Sequence, residues 1–506
     1  MVLPIQLPYQ FQFQLQSQLR RFGNHWLSTA ATAVTVATDG SRLQELRNRL
    51  VVDPPFPLSR ISPTVTATDT TKTTTTTTTD TTTTAQRLHP PQPSLDSILT
   101  HLRTLPSPLS ILTDSHQRHH SYLRLSLSER CNLRCQYCMP PEGVPLQPDQ
   151  LLLTRQELFQ LTQLFVRHGI TKIRLTGGEP LLRPDLVDIV KDIRTLVDHV
   201  GMTTNGITLT RHWEALVDAG LTHVNISLDT LQASTFQTLT RRPGLSHVLR
   251  AMELAATTFS NTTTDGTTAD CTTADCTTGS TSGSTTAFDS TFTTADSTST
   301  TTNSTASTTT TSTSGRVKIN CVVMKGINVH ELKDFCQLTR QLPIDVRFIE
   351  WMPFFNNGWN QNRFVSYATM LESLESLELQ RSPDGPNDTT KWWNLPDSTS
   401  NGPAMGRIGF ITSMSEHFCG SCNRLRLTAD GQLKVCLFGR TEVNLRDVLR
   451  GTMSNNTNSN NHNVDDDLER LIHYAVQRKH AVLGGHDTVQ GIVEANDNRP
   501  MTLIGG

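Results

Sequence analysis

The chain has 506 residues but no run of about twenty apolar ones, so no membrane span is expected. It also lacks an excess of one charge. Lysine and arginine number 44 against 46 aspartates and glutamates, which argues against a protein that coats a polyanion along its whole surface. The first 38 residues contain no acidic residue. Most telling is a missing cysteine, twice over. Of ten cysteines, six fall into two triads, Cys131, Cys135, Cys138 and Cys419, Cys422, Cys436, and neither has a fourth member. Three is an odd set for disulfides and a natural set for an incomplete metal site. Cys321 and Cys336 lie in apolar strand and helix patterns and read as core residues.

Three regions do not read as folded domains, and the Thr-rich tracts among them have too little apolar content to offset their ordering entropy. Residues 1–40 are rich in Gln, Ser and Thr and carry Arg20 and Arg21, which suits a mitochondrial transit peptide better than a secretory signal with Ala30–Val36 as its apolar stretch. Residues 41–115, with a threonine tract at 63–85, are expected to be disordered, as is a Thr/Ser-rich insertion at 257–314. Cys271 and Cys276 fall inside a short repeat of that insertion and read as incidental. A polar run at 455–463 reads as a surface insertion. Six thiolates kept for metal belong in a reducing compartment, here the mitochondrial matrix.

Between these tracts, β-branched runs alternate with helical patterns. Strands are expected at 121–128, 172–176, 200–204, 223–229, 317–324 and 345–352, and helices near 154–168, 184–198, 210–219, 243–256 and 328–340. This alternation predicts an α/β fold with a parallel sheet, either a partial (β/α)6 barrel or a doubly wound open sheet. The barrel would occupy 116–352 and a substrate region 353–506. Arg124, Ser126 and Ser128 share one strand parity, as do Lys172, Arg174 and Thr176, and Lys318 and Asn320. Charges on the packed face would each cost several kcal/mol unless paired, so a wet, cationic interior is expected. The 257–314 insertion falls between a helix and the next strand, on the N-terminal face and away from the face where barrel active sites form.

The first triad, spaced C-x3-C-x2-C, follows the first strand at its C-terminal end. A cube of four irons normally takes four cysteines, so three leave one iron open. Gly177, Gly178 and Glu179 follow the second strand, where glycines allow close backbone approach and Glu179 can accept from an ammonium group. This pair of motifs resembles the radical S-adenosylmethionine (SAM) enzymes. There, one electron from the reduced cluster cleaves SAM bound at the open iron, and the resulting 5′-deoxyadenosyl radical abstracts a substrate hydrogen. A zinc site is the alternative.

The second triad, C-x2-C-x13-C, is three-quarters of a zinc ribbon or the seat of a second cluster, with His417 the only close candidate for a fourth ligand. Arg424 and Arg426 follow at once, and arginine forks suit phosphate. With Arg124, Lys172, Arg174, Lys318 and Arg347 they can neutralise a triphosphate. The stretches 121–146, 172–185, 203–207, 225–231, 317–326, 345–354, 411–439 and 499–506 together resemble the GTP 3′,8-cyclases of molybdenum cofactor biosynthesis in their eukaryotic form. The resemblance implies a radical SAM barrel with a C-terminal extension, two [4Fe–4S] clusters on the two triads, and lyase activity on GTP. It implies SAM contacts from Tyr137, Gly178, Glu179, Ser227 and Met352. GTP contacts would come from Arg124, Arg174, Thr203, Lys318, Arg424, Leu425 and Arg426. The Gly505–Gly506 tail would reach the active site. The product would go to a separate cyclic pyranopterin monophosphate synthase. An unspecified electron donor, an optional second copy of the chain and no nucleic acid complete the expected partners. A peptide-modifying radical SAM enzyme and a zinc module binding nucleic acid are the competing readings. The insertions have no counterpart in the family.

Overall fold

The computed structural model describes residues 94–108, 110–264, 317–397, 404–451, 463–495 and 499–505, all within one compact unit. The expected transit peptide, the threonine tract at 63–85, Cys271, Cys276 and residues 455–462 lie outside the described residues.

Six strands lie side by side in sequence order, all parallel: β1 (Tyr122–Ser126), β2 (Lys172–Thr176), β3 (His199–Thr204), β4 (His223–Ser227), β5 (Val317–Val323) and β6 (Ile344–Glu350). Their order never reverses, which separates a partial barrel from a doubly wound sheet. One strand face packs under the helices. Leu123, Leu125, Ile173, Leu175, Ile226, Ile319 and Phe348 are each at most 1 % exposed, and each contributes about 1.5–3 kcal/mol through burial. The opposite parity carries Arg124, Arg174, Lys318 and Asn320 into the interior, as the strand pattern predicts.

The C-terminal region forms no separate layer; it extends the same sheet at both edges. β9 (Ile408–Ile411) runs parallel to β6 and continues into β8 (Lys391–Asn394) and β7 (Gln380–Arg381). β10 (Arg424–Leu427) runs parallel to β1 and continues into β11 (Gln432–Lys434) and β12 (Glu442–Asn444). The sheet therefore has twelve strands.

Three boundaries differ from the sequence expectation. Residues 94–115 are not wholly disordered: the helix Leu95–Arg103 is capped by Ser94, and Arg103 is paired with Asp467 of the helix Val464–Gln477. Asn463, inside the polar run, caps that second helix. The helix expected to end at 256 continues to Thr264. Within that extension Phe259 is buried against Trp213, whose Nε1 donates to Thr258 Oγ1 at 2.9 Å. Apolar packing thus holds the first turns of a segment whose composition reads as disordered.

Closing a long loop costs only about 2 kcal/mol more than closing a short one. Deleting 266–313 is therefore expected to leave the thermal midpoint nearly unchanged. Deleting 258–313, which removes Phe259, is expected to cost about 3–5 kcal/mol. Thermal and chemical denaturation of both variants check this.

Candidate active site

The two triads sit at opposite ends of one cavity of about 410 Å³, which all six cysteines line. Cys131 lies beyond the C-terminal end of β1. Cys422 lies just before the N-terminal end of β10, and β10 is parallel to β1 with Arg424 opposite Tyr122. The five residues of β1 span about 16 Å, so the triads are separated by roughly that length of strand. Local pairing also explains the long x13 spacing. β10 and β11 are antiparallel with Arg426 opposite Lys434, so the chain folds back to bring Cys436 beside Cys422. The cavity therefore extends from the C-terminal to the N-terminal end of the strands.

The first cysteine loop is shaped by its neighbours. Arg134 N and Gln136 N donate to the carbonyls of Thr240 and Leu239 at the end of the helix Ala233–Thr240. Arg241 Nη1 donates to the carbonyls of Arg134 and Met139. Neither this helix nor Arg241 was legible in the sequence, although the turn residues Arg242, Pro243 and Gly244 mark the helix end. Gly177 and Gly178 lie against the backbone of this same loop. A Cβ on Gly178 would stand 2.4 Å from Arg130 O, and one on Gly177, at φ +148°, 2.5 Å from Ser128 O. The glycines thus admit protein backbone on one side, while both also line the cavity on the other.

Glu179 lines the cavity but is engaged within the protein, accepting from Thr204 Oγ1 at 2.7 Å, Asn205 N at 2.7 Å and Leu181 N at 3.1 Å. Burial raises its carboxyl to about 7 despite these bonds. Tyr137 is buried beside Asp229, to which its hydroxyl donates, and burial lifts Asp229 to about 6. Ser227 and Met352 are half-buried on the cavity wall.

Seven cations line the cavity, Arg124, Lys172, Arg174, Lys318, Arg347, Arg424 and Arg426, against three carboxylates, Glu179, Asp229 and Asp388. Strand register arranges them. Arg426, Arg124 and Arg174 stand abreast on β10, β1 and β2, opposite Gly201 on β3. A Cβ at 201 would come within 3.2 Å of the Arg174 guanidinium, so glycine leaves that group its space. Burial, with Arg347 second, lowers Lys318 to about 8. Burial and the neighbouring Arg426 hold Arg124 well below the usual arginine range. Arg174 Nη1, Arg424 Nη1, Arg426 Nε and Nη1, and Thr203 Oγ1 are buried with no protein partner among the described residues. Orphaned cationic donors are costly, and an anion satisfies them. Leu425 does not belong to this set. It is 0 % exposed on the packed face, opposite Leu123, so its side chain cannot reach a ligand in the cavity.

Three thiols at each end fit a cluster with one open iron. The six are free, so each triad offers three sulfurs and no disulfide competes for them. Burial raises the Cys131 thiol to about 11 and Cys135 far above its usual value, so thiolate ligation at that end needs a cation to hold the charge. The tail reaches the site. Met501 and Thr502 line the cavity, and a Cβ on Gly505, at φ +71°, would stand 2.4 Å from Thr176 Oγ1.

An α/β half-barrel with an open three-cysteine loop after its first strand defines a radical SAM protein, and residues 125–270 match the family model described as the radical SAM superfamily. Residues 344–483 match the model described as Molybdenum Cofactor Synthesis C. The chain is 39 % identical to the mitochondrial GTP 3′,8-cyclase of Arabidopsis thaliana, over 78 % of this chain and 84 % of that one. It is 34 % identical to the GTP 3′,8-cyclase of Desulforamulus reducens, over 78 % of this chain and 100 % of that one. It is also 44 % identical to human molybdenum cofactor biosynthesis protein 1, over 80 % of this chain and 52 % of that one. The chain spans about half the length of the animal relatives it matches. The chain belongs to the GTP 3′,8-cyclase family of molybdenum cofactor biosynthesis. Its radical SAM domain implies a [4Fe–4S] cluster and SAM.

Arg426 and Leu425 point to opposite faces, so their substitutions separate. Arg426→Ala is expected to weaken nucleoside triphosphate binding roughly ten- to a hundredfold, the loss of one or two charged hydrogen bonds. Leu425→Ala is expected to cost about 2–5 kcal/mol of stability and to leave that affinity unchanged. Calorimetric binding and denaturation together check both.

Proposed function

We propose that the chain is a lyase that cyclises GTP to (8S)-3′,8-cyclo-7,8-dihydroguanosine 5′-triphosphate, the first step of molybdenum cofactor biosynthesis. The observation that carries this reading is one cavity with a three-cysteine set at each end and seven cations between. Cys131, Cys135 and Cys138 would hold the SAM cluster, with Tyr137, Gly178, Ser227 and Met352 around SAM. Glu179 serves by holding the 204–205 turn against the cluster loop. Cys419, Cys422 and Cys436 would hold a second [4Fe–4S] cluster whose open iron takes the guanine end of GTP. When bound, the first cluster supplies the electron that cleaves SAM and so provides the radical that removes the ribose 3′ hydrogen.

The chain's own residues do the rest. Arg124, Arg174, Lys318, Arg424 and Arg426 clamp the triphosphate, and Thr203 Oγ1 offers a further polar contact. This binding energy fixes the ribose between the two ends and pre-pays the orientation that intramolecular C–C bond formation requires. The packed strand faces and the 501–505 tail shield the cavity from water and other quenchers. A peptide substrate would leave most of these cations unpaired. The acid-poor first 38 residues and the mitochondrial Arabidopsis relative support a mitochondrial location. The product would pass to a cyclic pyranopterin monophosphate synthase activity.

Anaerobically reconstituted protein incubated with GTP, SAM and a reductant is expected to form the cyclised nucleotide; SAM cleavage without it would overturn the assignment. The wild type should hold about eight irons, two cubes of four, and Cys131→Ala about half, with no SAM cleavage. A proton-linked effect is also expected. Lys318 is lowered to about 8 in the free cavity, and a bound phosphate favours its charged form. Nucleotide affinity should therefore fall as pH rises through about 8, with proton uptake on binding above that pH. Calorimetry in buffers of different ionisation enthalpy checks this, and Lys318→Met should abolish the uptake.

A further inference from the structure

The second triad is gripped from behind by charged groups on segments distant in sequence. Lys479, just beyond the helix Val464–Gln477, is 3 % exposed. Its Nζ donates to Cys422 Sγ at 3.4 Å and to Arg424 O at 3.0 Å. Among the described residues no carboxylate pairs with it. A buried ammonium without a counter-charge costs several kcal/mol, and the sulfur is the one acceptor here that can carry negative charge. Arg118 approaches the other side. Its Nε donates to Asp114 Oδ2 at 2.7 Å, Nη1 to the carbonyls of Cys419 and Ala481 at 2.8 Å each, and Nη2 to His480 O at 2.8 Å. Leu483 N donates to Cys419 Sγ at 3.3 Å. Asp114 balances Arg118, which leaves the Lys479 charge for the cysteine sulfur.

We propose that Lys479 is a positioning residue of the second cluster: its ammonium, held against the Cys422 sulfur, stabilises the reduced cluster and strengthens the open iron as an acceptor for substrate. The Asp114–Arg118 pair fixes the Cys419 turn so that this contact keeps its geometry. The physical basis is that a donor on a ligating sulfur draws electron density from the iron, and a nearby positive charge favours the added electron. This rests on reading Cys419, Cys422 and Cys436 as cluster ligands.

The test is an EPR-monitored redox titration of anaerobically reconstituted full-length protein, with the signal lost in Cys422→Ala taken as the second cluster. Lys479→Met is expected to make that cluster at least tenfold harder to reduce, a shift of about 59 mV to lower potential for one electron. The first cluster should stay unchanged as an internal control, and Lys479→Arg, which keeps the charge, should stay near the wild type. If Lys479→Met loses the second cluster's iron while Lys479→Arg retains it, the charge is needed for assembly and the proposal stands. An intact second cluster with unchanged potential in Lys479→Met overturns it. Loss of the cluster in both variants overturns it as well, because packing alone then explains the residue. Wild-type protein with about four irons and one signal removes the second-cluster reading itself, a result distinct from either variant outcome.

Discussion

The parallel pairing of β10 with β1 is the contact on which the site depends. Without it, β1 to β6 form a half-barrel with a cysteine loop at one end and an unpaired edge strand. With it, Arg424 and Arg426 stand beside Tyr122 and Arg124 in register, and the Cys419–Cys422 turn falls at the end of the cavity opposite Cys131. A one-residue slip would turn Leu425 into the cavity and both arginines into the packed layer, which burial of that layer forbids. The same register therefore fixes the separation of the triads and the placement of the charges between them.

Those charges oppose folding. Seven cations with three carboxylates line one half-enclosed space, and several guanidinium nitrogens there have no protein partner among the described residues. Burial and mutual repulsion act together on Lys318 and Arg124. The fully buried leucines, isoleucines and phenylalanines on the other strand face offset this cost. A cavity left with unmatched positive charge is set up for an anion, whose binding would relieve part of the electrostatic cost already present in the free protein. The supports behind the second triad follow another rule: Asp114 neutralises Arg118, while Lys479 is left to the sulfur of Cys422.

Much of the barrel was legible before any coordinates. The six strands fall within a few residues of their expected positions, because β-branched runs bounded by helical patterns form a strong local signal. The inward parity of Arg124, Arg174 and Lys318 followed from the period of two alone. The C-terminal strands did not show themselves. β7, β11 and β12 are two or three residues long and take their form from their partners. The helix end at Thr264 was illegible for a related reason, since tertiary contact with Trp213 orders Thr258 and Phe259 where the local composition does not. Leu425 sits between two arginines of one motif, yet strand parity turns its side chain to the packed face.

The sequence by itself determined the chemistry available: two sets of three thiols, a Gly-Gly-Glu turn after a strand, and basic residues in alternation along three strands. These are properties of spacing and residue type, which local geometry preserves. Only the tertiary structure decided how they meet. It placed the triads at opposite ends of one cavity, turned Gly177 and Gly178 toward protein backbone, engaged Glu179 with Thr204 and Asn205, and brought Arg118 and Lys479 from distant segments onto the second triad. Such contacts depend on strand register and helix packing between residues tens to hundreds of positions apart, and no local pattern encodes them.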